Sequence, residues 1–151
     1  MRVQLSVQYA ALRAGLPAKS TVTGWVQAAL TGMTKKNVTV NVRFVGGREG
    51  AMLNRRYRGK AGSTNVLSFP FEAPAGVPTD YLGDLVLCAP VVQREAKRAH
   101  CPEKAYWAHM VIHGILHLRG YDHKNSREAA IMEKLEIRVL KGLGFSNPYA
   151  P

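Results

Sequence analysis

Apolar and polar residues alternate from the start of the chain: Val3, Leu5, Val7 and Tyr9 against Gln4, Ser6 and Gln8. A period of two puts each set on its own face, so a half-buried strand is expected here. After Pro17 comes a loop, with Ser20, Thr21 and Thr23 as candidate helix caps. A short helix is expected over residues 22–30, ending at Gly32. The alternation returns at Val38, Val40, Val42 and Phe44, a second strand broken by Gly46-Gly47. Residues 48–57 read as a helix and 59–63 as a loop. A strand over 66–71 is closed by Pro70 and Pro74, which sets its end at a sheet edge. Residues 73–79 hold too much Pro and Gly for a regular element. Residues 82–89 are mostly apolar, as in a strand buried on both faces.

The second half is helical. Pro90 opens one helix, running to about residue 99, and Pro102 with Glu103 opens the next. At 3.6 residues per turn, the second of these carries Trp107, Val111, Ile115 and Leu118 on its back, with Ile112 and Leu116 on its flank. It is apolar almost all round and is expected to be the central buried helix. Asn125 and Glu128 have the spacing of a capping box for a last helix, whose buried stripe is Met132, Leu135, Val139 and Leu143. The expectation is an α+β fold with about four strands in a mixed sheet and about five helices. It forms a single domain over 1–151.

Composition narrows the class. The chain's 151 residues suit one core. No apolar run is long enough to span a bilayer, and the N-terminus lacks a signal-peptide core, so a cytoplasmic location without membrane attachment is expected. Cys88 and Cys101 make no disulfide framework and read as free thiols. The net charge is +11, and it is uneven. Residues 1–60 hold eleven Lys or Arg and one acid, Glu49, whereas the remainder hold ten bases and nine acids. Such asymmetry points to an anionic partner, nucleic acid or an anionic surface, or else to a solubilising face.

The densest chemistry lies in His113-Gly114-Ile115-Leu116-His117-Leu118-Arg119-Gly120-Tyr121-Asp122-His123. His113 and His117 are four apart and share one helix face. Gly120 is suited to end the helix, so that His123 can close on the same point. Three imidazoles with a fourth position open are the donor set of a catalytic zinc site, one ion per chain. The spacing matches the metzincin pattern H-E-x-x-H-x-x-G-x-x-H, but Gly114 stands where that pattern has its general base. A peptidase would therefore lack its base. Asp84 and Asp122 are candidate acceptors for the outer nitrogens of the histidines, with plain strand-end and turn roles as the alternatives. His109 lies one turn before His113 on the same face and reads as structural, and His100 sits in a polar stretch. The metal site favours RNA as the anionic partner.

The stretch from His113 to His123 resembles the signature H-G-x-L-H-L-x-G-Y-D-H of the YbeY family. These are bacterial single-strand-specific endoribonucleases of ribosomal RNA maturation. Asn54-Arg55-Arg56-Tyr57-Arg58-Gly59-Lys60, Thr64-Asn65-Val66-Leu67-Ser68-Phe69-Pro70 and Leu82-Gly83-Asp84-Leu85-Val86 are similar to that family too. At Ala61-Gly62-Ser63 the chain departs from the usual family loop, which has an Asp after the Lys and a Pro or Ala before the Thr.

The resemblance implies a zinc-dependent endoribonuclease acting on single-stranded RNA. It implies maturation of the 3′ end of small-subunit (16S) ribosomal RNA, a part in ribosome quality control, and contacts with the ribosome and assembly factors. It singles out Arg58 as the arginine near the metal. Arg58, His113, His117 and His123 are thus the expected catalytic residues. Arg55, Arg56, Arg58 and Lys60 are the expected phosphate contacts. Tyr57 or Phe69 offers a ring on which an unpaired base could stack, though either fits a core as well. Two other readings stand beside this one. The first is a different metallohydrolase, including a divergent peptidase. The second is a ribosome- or RNA-binding factor whose metal is mainly structural.

Overall fold

A computed structural model describes residues 1–150. Pro151, the last residue of the expected domain, lies outside the described residues. The described residues form four strands and five helices, in the order β1 (Arg2–Ala10), α1 (Lys19–Ala29), β2 (Asn37–Val45), α2 (Gly47–Arg58), β3 (Val66–Pro70), β4 (Tyr81–Cys88), α3 (Ala89–Arg98), α4 (Glu103–Leu118) and α5 (Ser126–Gly142). One sheet has the order β1-β2-β4-β3. The β1, β2 and β4 strands run parallel, and β3 pairs antiparallel with β4 at the edge, as its prolines required. The fold is α+β with a mixed sheet.

Strand β4 lies between β2 and β3, and both its faces are covered. Leu85 and Leu87 point into the main core with Val40, Val42 and Phe44. Val86 and Cys88 point the other way, toward Val45, Leu67 and Val91, where Leu53 of α2 packs. Helix α4 is the expected central helix: Trp107, Val111, Ile112, Ile115 and Leu116 are all fully buried. Each such aliphatic side chain contributes about 1.5–3 kcal/mol over exposure. Phe44 anchors α4 to the sheet, with its ring edge-on to Trp107 at 5.3 Å and stacked on Tyr9 at 5.3 Å.

Three local expectations are corrected. Helix α1 is capped by Ala18, ahead of Ser20, Thr21 and Thr23, and no side chain caps it. Thr23 instead donates from Oγ1 to the Lys19 carbonyl at 2.8 Å, one turn back inside the helix. The capping box of α5 is displaced by one residue. Asn125 Oδ1 accepts from Glu128 N at 2.9 Å, but Glu128 Oε2 accepts from Lys124 N at 3.2 Å. The buried stripe of α5 consists of Met132, Glu136 and Leu140, while Leu135, Val139 and Leu143 pack half-buried beside it. A buried acid in that stripe is not visible to an apolar count.

Candidate metal centre

His113 and His117 project from one face of α4 because they are one turn apart, and their Nε2 atoms stand 3.1 Å from each other. Helix α4 then ends in a Schellman motif. Gly120 N donates to His117 O at 2.9 Å and Tyr121 N to Leu116 O at 3.1 Å. The motif needs a left-handed residue, and Gly120 supplies it with φ 102°. The reversed chain brings His123 back to the helix. Its ring centroid lies 5.0 Å from that of His117 and 5.8 Å from that of His113. One nitrogen from each of the three rings falls within 4.8 Å of the others.

The outer nitrogens of His113 and His117 have partners, but not those expected. His113 Nδ1 lies 3.0 Å from Glu136 Oε1, and His117 Nδ1 lies 2.9 Å from the Tyr121 carbonyl. A carbonyl only accepts, so a neutral His117 carries its proton on Nδ1 and presents a bare Nε2. Burial, followed by the neighbouring His113, lowers the pKa of His117 and favours the neutral ring that a metal requires. Asp84 is corrected. It accepts from Asn41 Nδ2 at 2.9 Å and from the Tyr81 hydroxyl. Successive strand residues face opposite ways, so Asp84 points away from the face where Leu85 meets α4. Asp122 takes the turn role that stood as its alternative. It accepts from His123 N at 2.8 Å as a turn residue, and its carboxylate stands 3.9 Å from His123 Nδ1.

Glu136 was missed by the sequence reading. Burial opposes its charge, but hydrogen bonds from His109 and His113 overcome that and hold its carboxyl down at about 2. His109 is thus a partner of Glu136, in keeping with its structural reading. His109, His113 and Glu136 form a second group within 4.8 Å. His100 is exposed and takes no part in either group.

Three converging imidazoles, those of His113 and His117 with their outer nitrogens engaged, suit a borderline divalent cation. They open into a cavity of about 710 Å³ lined also by Tyr57, Arg58, Ser68, Phe69 and Asp122. Among the described residues Arg58 has no ion-pair partner. Arg55 and Arg56 line a separate depression with Met52 and Gly59, and exposed Lys60 lines neither. Tyr57 and Phe69 meet edge to face at 5.2 Å. In the departing loop, Asn54 Nδ2 donates to Gly62 O at 2.8 Å and Ser63 Oγ to Gly47 O at 2.8 Å, which ties the loop to the start and to the second half of α2.

The family described as Endoribonuclease YbeY matches residues 13–144. This chain is a member of the YbeY family. Relatives named Endoribonuclease YbeY include one from Methylococcus capsulatus, 53% identical over 97% of this chain and 95% of its own. One from Alkalilimnicola ehrlichii is 53% identical over 97% of this chain and 91% of its own. One from Nitrosococcus oceani is 47% identical over 99% of this chain and 98% of its own. A solution structure from Thermotoga maritima superposes with a TM-score of 0.60 at 23% identity, covering 98% of this chain and all of that one, which shows a shared fold. The structure gives a reason for glycine at position 114, where the metzincin pattern has its base. A Cβ on Gly114 would stand 2.8 Å from Leu85 Cδ2, so the packing of α4 on β4 would have to shift to admit a side chain there.

Proposed function

We propose that this chain is a metal-dependent endoribonuclease that cuts single-stranded RNA, using zinc held by His113, His117 and His123. The observation that carries the reading is the convergence of those three histidines with the unpaired Arg58 on one open cavity. The printed name of the relatives, Endoribonuclease YbeY, supports it. A divalent ion so held supplies Lewis acidity to a phosphoryl oxygen and to water. The Arg58 guanidinium donates to non-bridging phosphate oxygens and neutralises charge as it grows on phosphorus. The Tyr121 carbonyl keeps His117 in the tautomer that presents Nε2. Tyr57 and Phe69, on the same cavity wall, offer aromatic surface to an unpaired base. A duplex keeps its bases stacked and cannot use that surface.

Family resemblance extends the reading to the 3′ end of 16S ribosomal RNA, to ribosome quality control, and to ribosomal and assembly-factor contacts in the cytoplasm. No helix of the described residues is long and apolar enough to cross a membrane. The test is to incubate zinc-loaded protein with single-stranded RNA, duplex RNA and casein. Cleavage of the single strand alone is expected. Cleavage of casein, or of neither RNA, would reject the reading.

A further inference from the structure

Among the described residues Glu136 is the one buried acid, 1% exposed, and it lies on no motif. Its oxygens are divided between three residues on two segments. Oε1 faces His113 Nδ1 of α4 at 3.0 Å. Oε2 takes a short hydrogen bond from His109 Nε2, also of α4, and accepts from the Tyr149 hydroxyl of the C-terminal tail at 2.8 Å. The Tyr149 ring stands edge-on to His109 at 5.4 Å. An ionised carboxylate can only accept, so a neutral His113 facing it must carry its proton on Nδ1. The lone pair of that ring is then on Nε2, the atom 3.1 Å from His117 Nε2. A buried carboxylate without donors is strongly unfavourable, which gives His109 and Tyr149 their place: they satisfy the oxygen that His113 does not use.

We propose that Glu136 is a positioning residue that holds His113 in the Nδ1–H tautomer and aims its Nε2 into the three-histidine centre, with His109 and the tail residue Tyr149 holding the carboxylate in place. The proposal rests on the reading of His113 as a metal ligand, and it is independent of what the loaded site cuts. The alternative is that Glu136 only ties α4, α5 and the tail together.

Two measurements separate these. The first uses the unaltered chain without metal at alkaline pH, where proton–nitrogen correlation spectra report which ring nitrogen carries the proton. The expected result is His113 protonated on Nδ1 and bare on Nε2. The opposite tautomer overturns the proposal, whatever any variant does. The second is zinc affinity by chelator competition, with melting of the metal-free protein recorded in parallel. Glu136→Gln should bind zinc roughly 10–100-fold more weakly, the usual loss when the outer partner of a ligating histidine is removed. Glu136→Asp, which keeps the charge, should recover part of the loss. Tyr149→Phe should loosen zinc in the same direction by less, because His109 and His113 still hold the carboxylate. A folded Glu136→Gln with a lower melting temperature but unchanged affinity and tautomer would leave only the tying role. Two zinc ions per chain, one of them lost with Glu136→Gln, would make the carboxylate a ligand and overturn the proposal. RNA cleavage enters neither measurement, so an inactive but zinc-binding chain would reject the nuclease reading alone.

Discussion

Gly114 and Leu85 touch so closely that a Cβ on the glycine would lie 2.8 Å from one Leu85 methyl carbon and 3.2 Å from the other. Val66 Cγ2 would follow at 3.3 Å. The glycine that follows His113 is therefore set by the approach of α4 to the sheet. Gly114→Ala should destabilise the chain by about 1–3 kcal/mol, as overpacking does. Leu85→Ala alone should cost about 2–5 kcal/mol. The pair should cost less than the sum, since each relieves the other. Denaturant melts of the three variants check this, and strict additivity would contradict the contact.

The metal prediction is direct. Replacing His113, His117 or His123 with Ala should greatly reduce zinc content, whereas His100→Ala should not. Metal analysis of purified variants decides it. Full occupancy in His117→Ala would remove the triad from consideration.

Arg58 separates catalysis from binding. Arg58→Ala should keep fold and metal but lose cleavage by about 10²–10³-fold, the usual loss for one electrostatic stabiliser. RNA affinity should fall far less, being shared among several contacts. Single-turnover rates and equilibrium binding for Arg58→Ala, Arg55→Ala and Lys60→Ala make the comparison. Equal, modest losses in all three would remove Arg58 from the catalytic set. Arg58→Lys should recover binding better than rate, because Lys lacks the planar fork.

The basic first sixty residues predict steep salt dependence of RNA binding, each neutralised phosphate on a single strand adding about −0.7 to the log–log slope. Charge reversal at Arg55 and Arg56 should flatten it. The one acid in that region, Glu49, is paired with Arg43 at 2.7 Å and so offsets that one cation alone. A slope near zero in the unaltered protein would mean that the positive charge only solvates.

Alkaline pH tests the packing of α3 against α4. Burial, then the Glu95 charge and hydrogen bond, push the Tyr106 hydroxyl from 10.0 up to about 12. A pKa raised by folding favours the neutral phenol. Its contribution to stability is complete below about pH 10 and is lost as pH rises toward about 12. Tyr106→Phe should make stability flatter with pH across that window. The residual slope belongs in part to Tyr149, also raised by burial and by Glu136. Melts at stepped pH, with tyrosinate absorbance, measure the difference.

Much of this molecule is written locally. The alternation of Val38, Val40, Val42 and Phe44 is a strand because side chains alternate across any strand, whatever lies around it. The triad is legible because all its members fall within eleven residues, and helix pitch plus one glycine turn is enough to bring them together. Apolar periodicity likewise marked α4 as central. The family motifs carried Arg58 to the site by resemblance, whereas spacing could not have done so across the 55 residues that separate it from His113.

Tertiary structure decided the rest. The order β1-β2-β4-β3 and the face on which Asp84 points depend on which strands pair, and pairing is a long-range contact that no window of sequence contains. Glu136 and Tyr149 lie 23 and 36 residues after His113 and reach its surroundings only because α5 packs on α4 and the tail folds back. An acid in an otherwise apolar stripe looks like a surface position until its three donors are in place, since only those donors make a buried charge tolerable. The three histidines of this centre are local in the chain; the buried carboxylate that meets one of them is not.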